Sequence, residues 1–110
     1  MELALGNVFV RDSRGFGEKF AKAGDVILGH KHNFDHLTLC WGGRIRIRAV
    51  VRGATVETTV EPGDYRLIKA GVEHEITALD DGARFLCIYA HREPQGDVVQ
   101  EYTGWPPAYQ

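Results

Sequence analysis

Three of the five histidines in this 110-residue sequence lie in one short stretch, at positions 30, 32 and 36. On an extended strand His30 and His32 project from the same face, because side chains alternate with a period of two. His36 keeps that parity and follows a short turn at residues 33–35, so it can begin the next strand and lean back toward the pair. Converging imidazole nitrogens are the usual way in which a protein holds a transition metal. The cluster is neither contiguous nor terminal, unlike an expression tag, and we favour a metal site over surface histidines on a polar turn.

Strands must position these histidines, because no segment sustains a helical periodicity. Short apolar or alternating segments are separated by Gly, Asp and Pro, at the spacing typical of all-β sandwiches and barrels. We predict strands over residues 7–11, 18–22, 25–29, 37–41, 44–51, 56–60, 65–69, 74–79 and 83–91. The sequence therefore predicts an all-β domain.

The apolar side chains on the outer face of the strand that follows His36 indicate a partner subunit. Its parity points Leu37, Leu39 and Trp41 outward, and a sheet face this apolar is expected to be covered. We therefore expect a homodimer. The segment 83–91 is apolar on both faces, so we expect it to lie centrally and to be buried from both sides.

Arginines alternate with isoleucines along another predicted strand, which is typical of a half-buried strand with a wet outer face. With the turn at residues 53–54, Arg46 would face Glu61 and Arg48 would face Thr59 across the hairpin. The alternative is an arginine patch that binds anions, although solvated strand faces are more common.

Length and composition indicate one globular domain over residues 1–110, with a core barrel at about 7–91 and an extension at 92–110. The sequence is 44% hydrophobic and 25% charged, and its net charge of −2 provides no field that would attract nucleic acid or an anionic membrane. No apolar run approaches the roughly 18 residues of a membrane span, and the first residues lack the features of a signal peptide. We expect a cytoplasmic protein.

The two cysteines and the extension carry weaker signals. Cys40 and Cys87 are interpreted as reduced, buried, small apolar residues, with a redox pair or a thiolate ligand as the alternative. The extension is polar but contains aromatic residues, which we expect to pack across the barrel or onto a partner. These residues are Tyr102, Trp105 and Tyr109.

Two spaced motifs resemble those of the cupin superfamily, in particular its small single-domain members. The first cupin motif combines glycines with His-x-His and a glutamate, and here His36 stands where the family usually has that glutamate. The matching positions are Gly24, His30, His32 and Gly43. The second motif matches at Gly63, Gly71 and His74, while Lys69 replaces its proline and Ala78 replaces its asparagine.

The resemblance implies a double-stranded β-helix, or jelly-roll barrel, with a metal inside near one mouth. It implies that His30, His32 and His74 are ligands and that His36 takes the place of the acidic fourth ligand. Four neutral imidazoles would suit one divalent transition metal, and they do not select among Fe, Ni, Zn, Mn and Cu. Tyr89 and His91 share parity near the end of the last long strand. If that face points into the barrel, both would support the metal site as hydrogen-bond donors or acid–base groups; the alternative is that His91 ends its strand and faces water.

The resemblance leaves the function open between two classes. One is a metal-dependent dioxygenase, since three- and four-histidine centres occur in family members that act on thiols and β-diketones; a small organic substrate would chelate the metal in the barrel mouth. The alternative is a non-catalytic or regulatory module that binds a metal or a small ligand. A metal-free isomerase is disfavoured because it would leave the four histidines without a role.

Overall fold

The computed structural model describes residues 7–12, 21–91 and 100–102, with side chains for residues 21–89. Over this part of the chain it contains nine strands, and it has no helix long and apolar enough to cross a membrane. The strands are β1 (Asn7–Asp12), β2 (Val26–His32), β3 (His36–Gly42), β4 (Ile45–Val51), β5 (Ala54–Val60), β6 (Tyr65–Ile68), β7 (His74–Ala78), β8 (Arg84–His91) and β9 (Gln100–Tyr102). The all-β prediction is confirmed.

Two antiparallel sheets share these strands. The four-stranded sheet has the order β1-β8-β3-β6, and the five-stranded sheet has the order β5-β4-β7-β2-β9. Apart from the β4–β5 hairpin, each connection passes from one sheet to the other. This is the jelly-roll architecture, and it places one core between two facing sheets.

Strand positions agree with the sequence prediction within a few residues, with one exception. The strand predicted over 18–22 is wrong at its end, because Ala21 and Lys22 lie in a loop; residues 18–20 lie outside the described part of the chain. The strand predicted to end at Gly29 continues to His32 and so includes both histidines of the pair.

The interior has an apolar half and a histidine half. Ile27 lies near the start of β2 and His30 near its end, while on the antiparallel neighbour His74 begins β7 and Ile76 follows. All of these side chains are buried, so apolar residues fill one end and histidines lie at the other. The apolar cluster comprises Ala21, Ile27, Cys40, Ile45, Ile47, Val60, Ile68, Ile76, Ala78, Ala83 and Phe85.

The β4–β5 hairpin turns on Arg52 and Gly53, which have φ angles of 52° and 78°. Two central residues at positive φ make a type I′ turn, whose twist matches that of the flanking strands. The prediction had placed the turn one residue later, because an arginine at positive φ is unusual.

Because the turn lies one residue earlier than predicted, the residue opposite each arginine is two positions earlier on β5 than predicted. Arg46 lies across from Thr59 and Arg48 from Glu57, not from Glu61 and Thr59 respectively. Arg46 Nε is 3.2 Å from Glu57 Oε1, and Arg48 Nε is 4.0 Å from the same oxygen. The arginines therefore have a cross-strand acidic partner, although a different one.

The outer face of the four-stranded sheet is apolar, as the parity of β3 predicts. Trp41 is 44% exposed, and Tyr65 and Leu67 of β6 are each 58% exposed. Register places Leu37 and Leu39 of β3 between these β6 residues and Ile88 and Leu86 of β8.

β8 is central in its sheet, between β1 and β3, as predicted. The expectation that it is buried from both sides is wrong for the single chain. Phe85 and Tyr89 are buried on the inner face, whereas Leu86 and Ile88 on the outer face are only half-buried.

Candidate metal site

Neighbouring strands of the five-stranded sheet bring three histidines together. His30 of β2 lies directly across from His74 of β7, and their ring centroids are 4.2 Å apart. His32, two residues further along β2, keeps its ring on the same face, with its centroid 5.0 Å from that of His30. One ligand nitrogen from each of the three lies within 4.8 Å of the others, close enough to share one metal ion.

His36 approaches from the facing four-stranded sheet. Its ring centroid is 4.7 Å from that of His32 and 5.3 Å from that of His74, and the side chain is 2% exposed. The group of nitrogens within 4.8 Å of one another contains His30, His32 and His74 without His36. The structure thus brings all four predicted histidines into one buried cluster.

Hydrogen bonds fix the tautomers of two of these rings. His30 Nδ1 lies 3.0 Å from the carbonyl oxygen of Leu28, and His74 Nδ1 lies 2.9 Å from that of Val72. A carbonyl only accepts, so in the neutral ring each Nδ1 carries the proton and each Nε2 is the unprotonated nitrogen. His74 Nε2 is buried without a hydrogen-bond partner. This is the arrangement of a metal-binding imidazole oriented by a backbone carbonyl.

Burial favours the uncharged form of three of these histidines. Desolvation, together with repulsion from His30, lowers the pKa of His36 to about 4 and that of His74 to about 3. Desolvation also lowers the pKa of His30. The residues at these positions are therefore neutral imidazoles at physiological pH, which is the form that binds a metal.

Several buried nitrogens of the cluster have no partner within the protein. They are both ring nitrogens of His36, and His74 Nε2. Leaving a buried polar atom unpaired costs about 1–3 kcal/mol, so such groups usually have an acceptor, a water or an ion. Lone pairs concentrated in this way fit a divalent transition metal.

Phe34 is a site residue that sequence reasoning missed. It belongs to the β2–β3 turn but is only 5% exposed, and its ring centroid lies 4.7 Å from His32 and 5.8 Å from His36. Tyr89 is buried on the inner face, with its ring 4.4 Å from that of Phe34. Phe34 thus links Tyr89 to the histidines. The signal in the sequence was a large apolar residue inside an otherwise polar turn.

The structure describes the remaining predicted residues only in part. The backbone of His91 ends β8, but its side chain lies outside the described residues. Among the aromatic residues of the extension, Tyr102 ends β9, while Trp105 and Tyr109 lie outside the described residues.

Both cysteines are free thiols. Cys40 is fully buried, its Sγ lies 2.9 Å from the carbonyl oxygen of Gly43, and burial raises its pKa. A protonated thiol that donates to a backbone carbonyl is a packing residue rather than a thiolate ligand. Cys87 is half-buried and packs against the apolar cluster.

No protein-family model and no curated protein matches the chain. Solved structures do match it. An oxalate decarboxylase from Lactobacillus farciminis, determined as a formate complex, is 27% identical over 67% of this chain and 22% of its own, with a TM-score of 0.61. Oxalate decarboxylase from Bacillus subtilis at pH 4.6 is 23% identical over 87% of this chain and 24% of its own, with a TM-score of 0.68.

A vicilin from Solanum lycopersicum (tomato) is also similar, at 11% identity over 86% of this chain and 25% of its own, with a TM-score of 0.65. The chain spans about a quarter of the length of these structures. Oxalate decarboxylases and vicilins are cupin proteins, and this chain shares their fold. The chain therefore has the cupin fold, with a buried histidine cluster at the positions of the two motifs.

Proposed function

We propose that this cupin binds one divalent transition metal ion through His30, His32, His36 and His74. The observation that supports the proposal is the cluster of four buried histidines between the two sheets, in which the ring nitrogens of His36 and the Nε2 atom of His74 have no hydrogen-bond partner. His30 and His74 would bind through Nε2, because their Nδ1 atoms donate to backbone carbonyls. His36 would complete the site from the opposite sheet.

We further propose that the protein is a metal-dependent dioxygenase of a small organic substrate. A metal held by four neutral imidazoles keeps its full positive charge, so when bound it would act as a Lewis acid toward an anionic or enolisable ligand. Phe34 gives the histidine cluster an apolar wall, and the buried Tyr89 behind it would keep that wall rigid. His91, on the same strand as Tyr89, is proposed as an acid–base group.

The alternative is a non-catalytic module that binds a metal or a small ligand. The solved structures with this fold include vicilins as well as oxalate decarboxylases, so the fold itself does not select a function. An open coordination position separates the two possibilities, because a closed site of protein ligands is structural.

Metal analysis of protein purified without a histidine tag tests the site. We expect one metal ion per chain. A His74→Asn variant is expected to lose at least about 100-fold in Co²⁺ affinity, because it removes a ligand, and even the residues that support a ligand are worth about 10–100-fold. Unchanged stoichiometry and affinity in His36→Ala would remove His36 from the ligand set. Oxygen consumption with a thiol, a β-diketone and a phenol then tests catalysis, and no uptake with the metal-loaded protein would favour the binding module.

We propose that the apolar outer face of the four-stranded sheet forms a homodimer interface. Leu67 on this face is 58% exposed, and Leu28 on the outer face of the other sheet is 56% exposed, which makes them a matched pair. Light scattering at micromolar concentration is expected to show a dimer that Leu67→Glu dissociates and Leu28→Glu does not. A monomeric wild-type protein would end this proposal.

We also propose that the protein is cytoplasmic. Cys40 and Cys87 are both free, as is usual for thiols in a reducing compartment.

A further inference from the structure

Two turns that cross between the sheets meet at the histidine end. The β2–β3 turn carries Asp35, and the β6–β7 turn spans residues 69–73. Asp35 Oδ1 accepts a hydrogen bond of 2.7 Å from the backbone N–H of Ala70, and Asp35 Oδ2 lies 3.1 Å from Lys69 Nζ. One carboxylate therefore joins the two turns.

The β6–β7 turn also contacts the histidines at both of its ends. The N–H of Gly71 donates to the carbonyl oxygen of His32 at 2.8 Å, and the N–H of Val72 donates to that of Lys69 at 3.2 Å. The carbonyl oxygen of Val72 in turn accepts from His74 Nδ1 at 2.9 Å. A continuous set of hydrogen bonds thus runs from the backbone of His32 through this turn to the ring of His74.

We propose that Asp35 is a positioning residue for the metal site, which sets the distance between the histidines of β2 and β3 and His74 of β7. The inference rests on the proposed metal binding. Asp35 acts by holding the turn whose carbonyl oxygen orients His74. Lys69, which stands where the second cupin motif has proline, adds a charged contact to the same carboxylate instead of a rigid ring.

The two contacts of Asp35 are not equivalent. Lys69 and Asp35 are exposed, at 67% and 49% of their side-chain surface, so their ion pair is screened by solvent and contributes little. The bond from Ala70 fixes the turn backbone directly. We therefore expect Asp35→Ala to weaken metal binding more than Lys69→Met, and Asp35→Asn, which retains an acceptor oxygen, to restore most of the affinity.

A matched carboxylate lies at the opposite end of the molecule. There Asp80 of the β7–β8 turn binds Arg44 of the β3–β4 turn. This contact also joins two turns that cross between the sheets. Asp80 Oδ2 accepts from the backbone N of Arg44 at 2.9 Å and from its Nε at 2.8 Å, and Oδ1 accepts from Nη2 at 2.9 Å. Asp80→Ala therefore removes a similar clamp, but one remote from the histidines.

The test measures Co²⁺ affinity by calorimetry and the Co²⁺ absorption spectrum, at a temperature where every variant is folded. We expect Asp35→Ala to lose about 10-fold in affinity with an altered spectrum, because supporting contacts around a metal site are worth about 10–100-fold. Asp80→Ala is expected to lower the melting temperature while its Co²⁺ affinity and spectrum stay those of the wild type.

Equal affinities and spectra for Asp35→Ala, Asp80→Ala and the wild type would overturn the positioning role while leaving the metal site intact. A wild-type protein that binds no Co²⁺ would overturn the metal site, and the positioning role with it. If Asp35→Ala does not fold, Asp35→Leu, which has a similar shape but no acceptor for the N–H of Ala70, takes its place, and an affinity and spectrum equal to those of Asp80→Ala would again count against the role.

Discussion

The neutral histidine cluster predicts that the metal-free protein loses stability in mild acid. In an unfolded chain a histidine titrates near pH 6.5. In the folded protein, desolvation lowers the pKa of His36 to about 4 and that of His74 to about 3. Because both folded-state pKa values lie below the unfolded value, the unfolded chain binds more protons as the pH falls through 6.5. The stabilising contribution is therefore present above pH 6.5 and is lost on acidification.

The size of the loss follows from those values. Between pH 7 and pH 5, each of the two histidines lowers the free energy of unfolding by about 2 kcal/mol. His30 shifts in the same direction. The loss of about 4 kcal/mol from His36 and His74 is a large share of the roughly 5–15 kcal/mol by which a domain is stable.

Urea unfolding at pH 7, 6 and 5 in the presence of a chelator measures this dependence. Aspartate and glutamate titrate mainly below this range, so they contribute little to the slope. His36→Asn and His74→Asn are each expected to lower the mean slope between pH 7 and pH 5 by about 1 kcal/mol per pH unit. A wild-type free energy that stays constant from pH 7 to pH 5 would refute the reasoning, as would an unchanged slope in both variants.

Other perturbations test the packing around the site. Gly43→Ala is expected to destabilise by more than about 2 kcal/mol, because a Cβ there would lie 2.9 Å from the backbone of Ala83 and the φ angle is +59°. Gly53→Ala, at a φ of +78° in open space, should cost only about 1 kcal/mol; thermal melts of the two variants measure the difference. Glu75 is fully buried and neither carboxylate oxygen has a hydrogen-bond partner, so Glu75→Met is expected to raise the free energy of unfolding by about 1–3 kcal/mol in urea. A less stable Glu75→Met protein would show that the carboxylate is compensated.

Local rules account for most of what the sequence predicted. Alternation with a period of two fixed which side of β2 and β3 the histidines occupy, and it also placed Leu37, Leu39 and Trp41 outward. These are properties of one strand, and a strand carries them whatever its neighbours are. The same alternation placed Tyr89 and Phe85 on one face of β8, and the structure shows that this is the inner face.

Pairing between distant strands was beyond such rules. His30 lies across from His74 only because the β2–β7 register shifts between Ile27 and His30, and the strand pattern contains no signal for that irregularity. The motif resemblance supplied the proximity instead. The arginine pairs failed for a related reason, since one residue at positive φ moved the whole hairpin register.

Histidine rather than glutamate at position 36 also has a consequence for folding. The side chain is 2% exposed, and a carboxylate buried there would add a negative charge to a site whose other members are neutral without metal. An imidazole with its pKa lowered to about 4 is uncharged at pH 7, so the chain can close around an empty cluster. His36→Glu is therefore expected to destabilise the metal-free protein, and Zn²⁺ should raise its melting temperature more than that of the wild type. Equal shifts in thermal melts of the two proteins would show that the charge at this position does not couple folding to the metal.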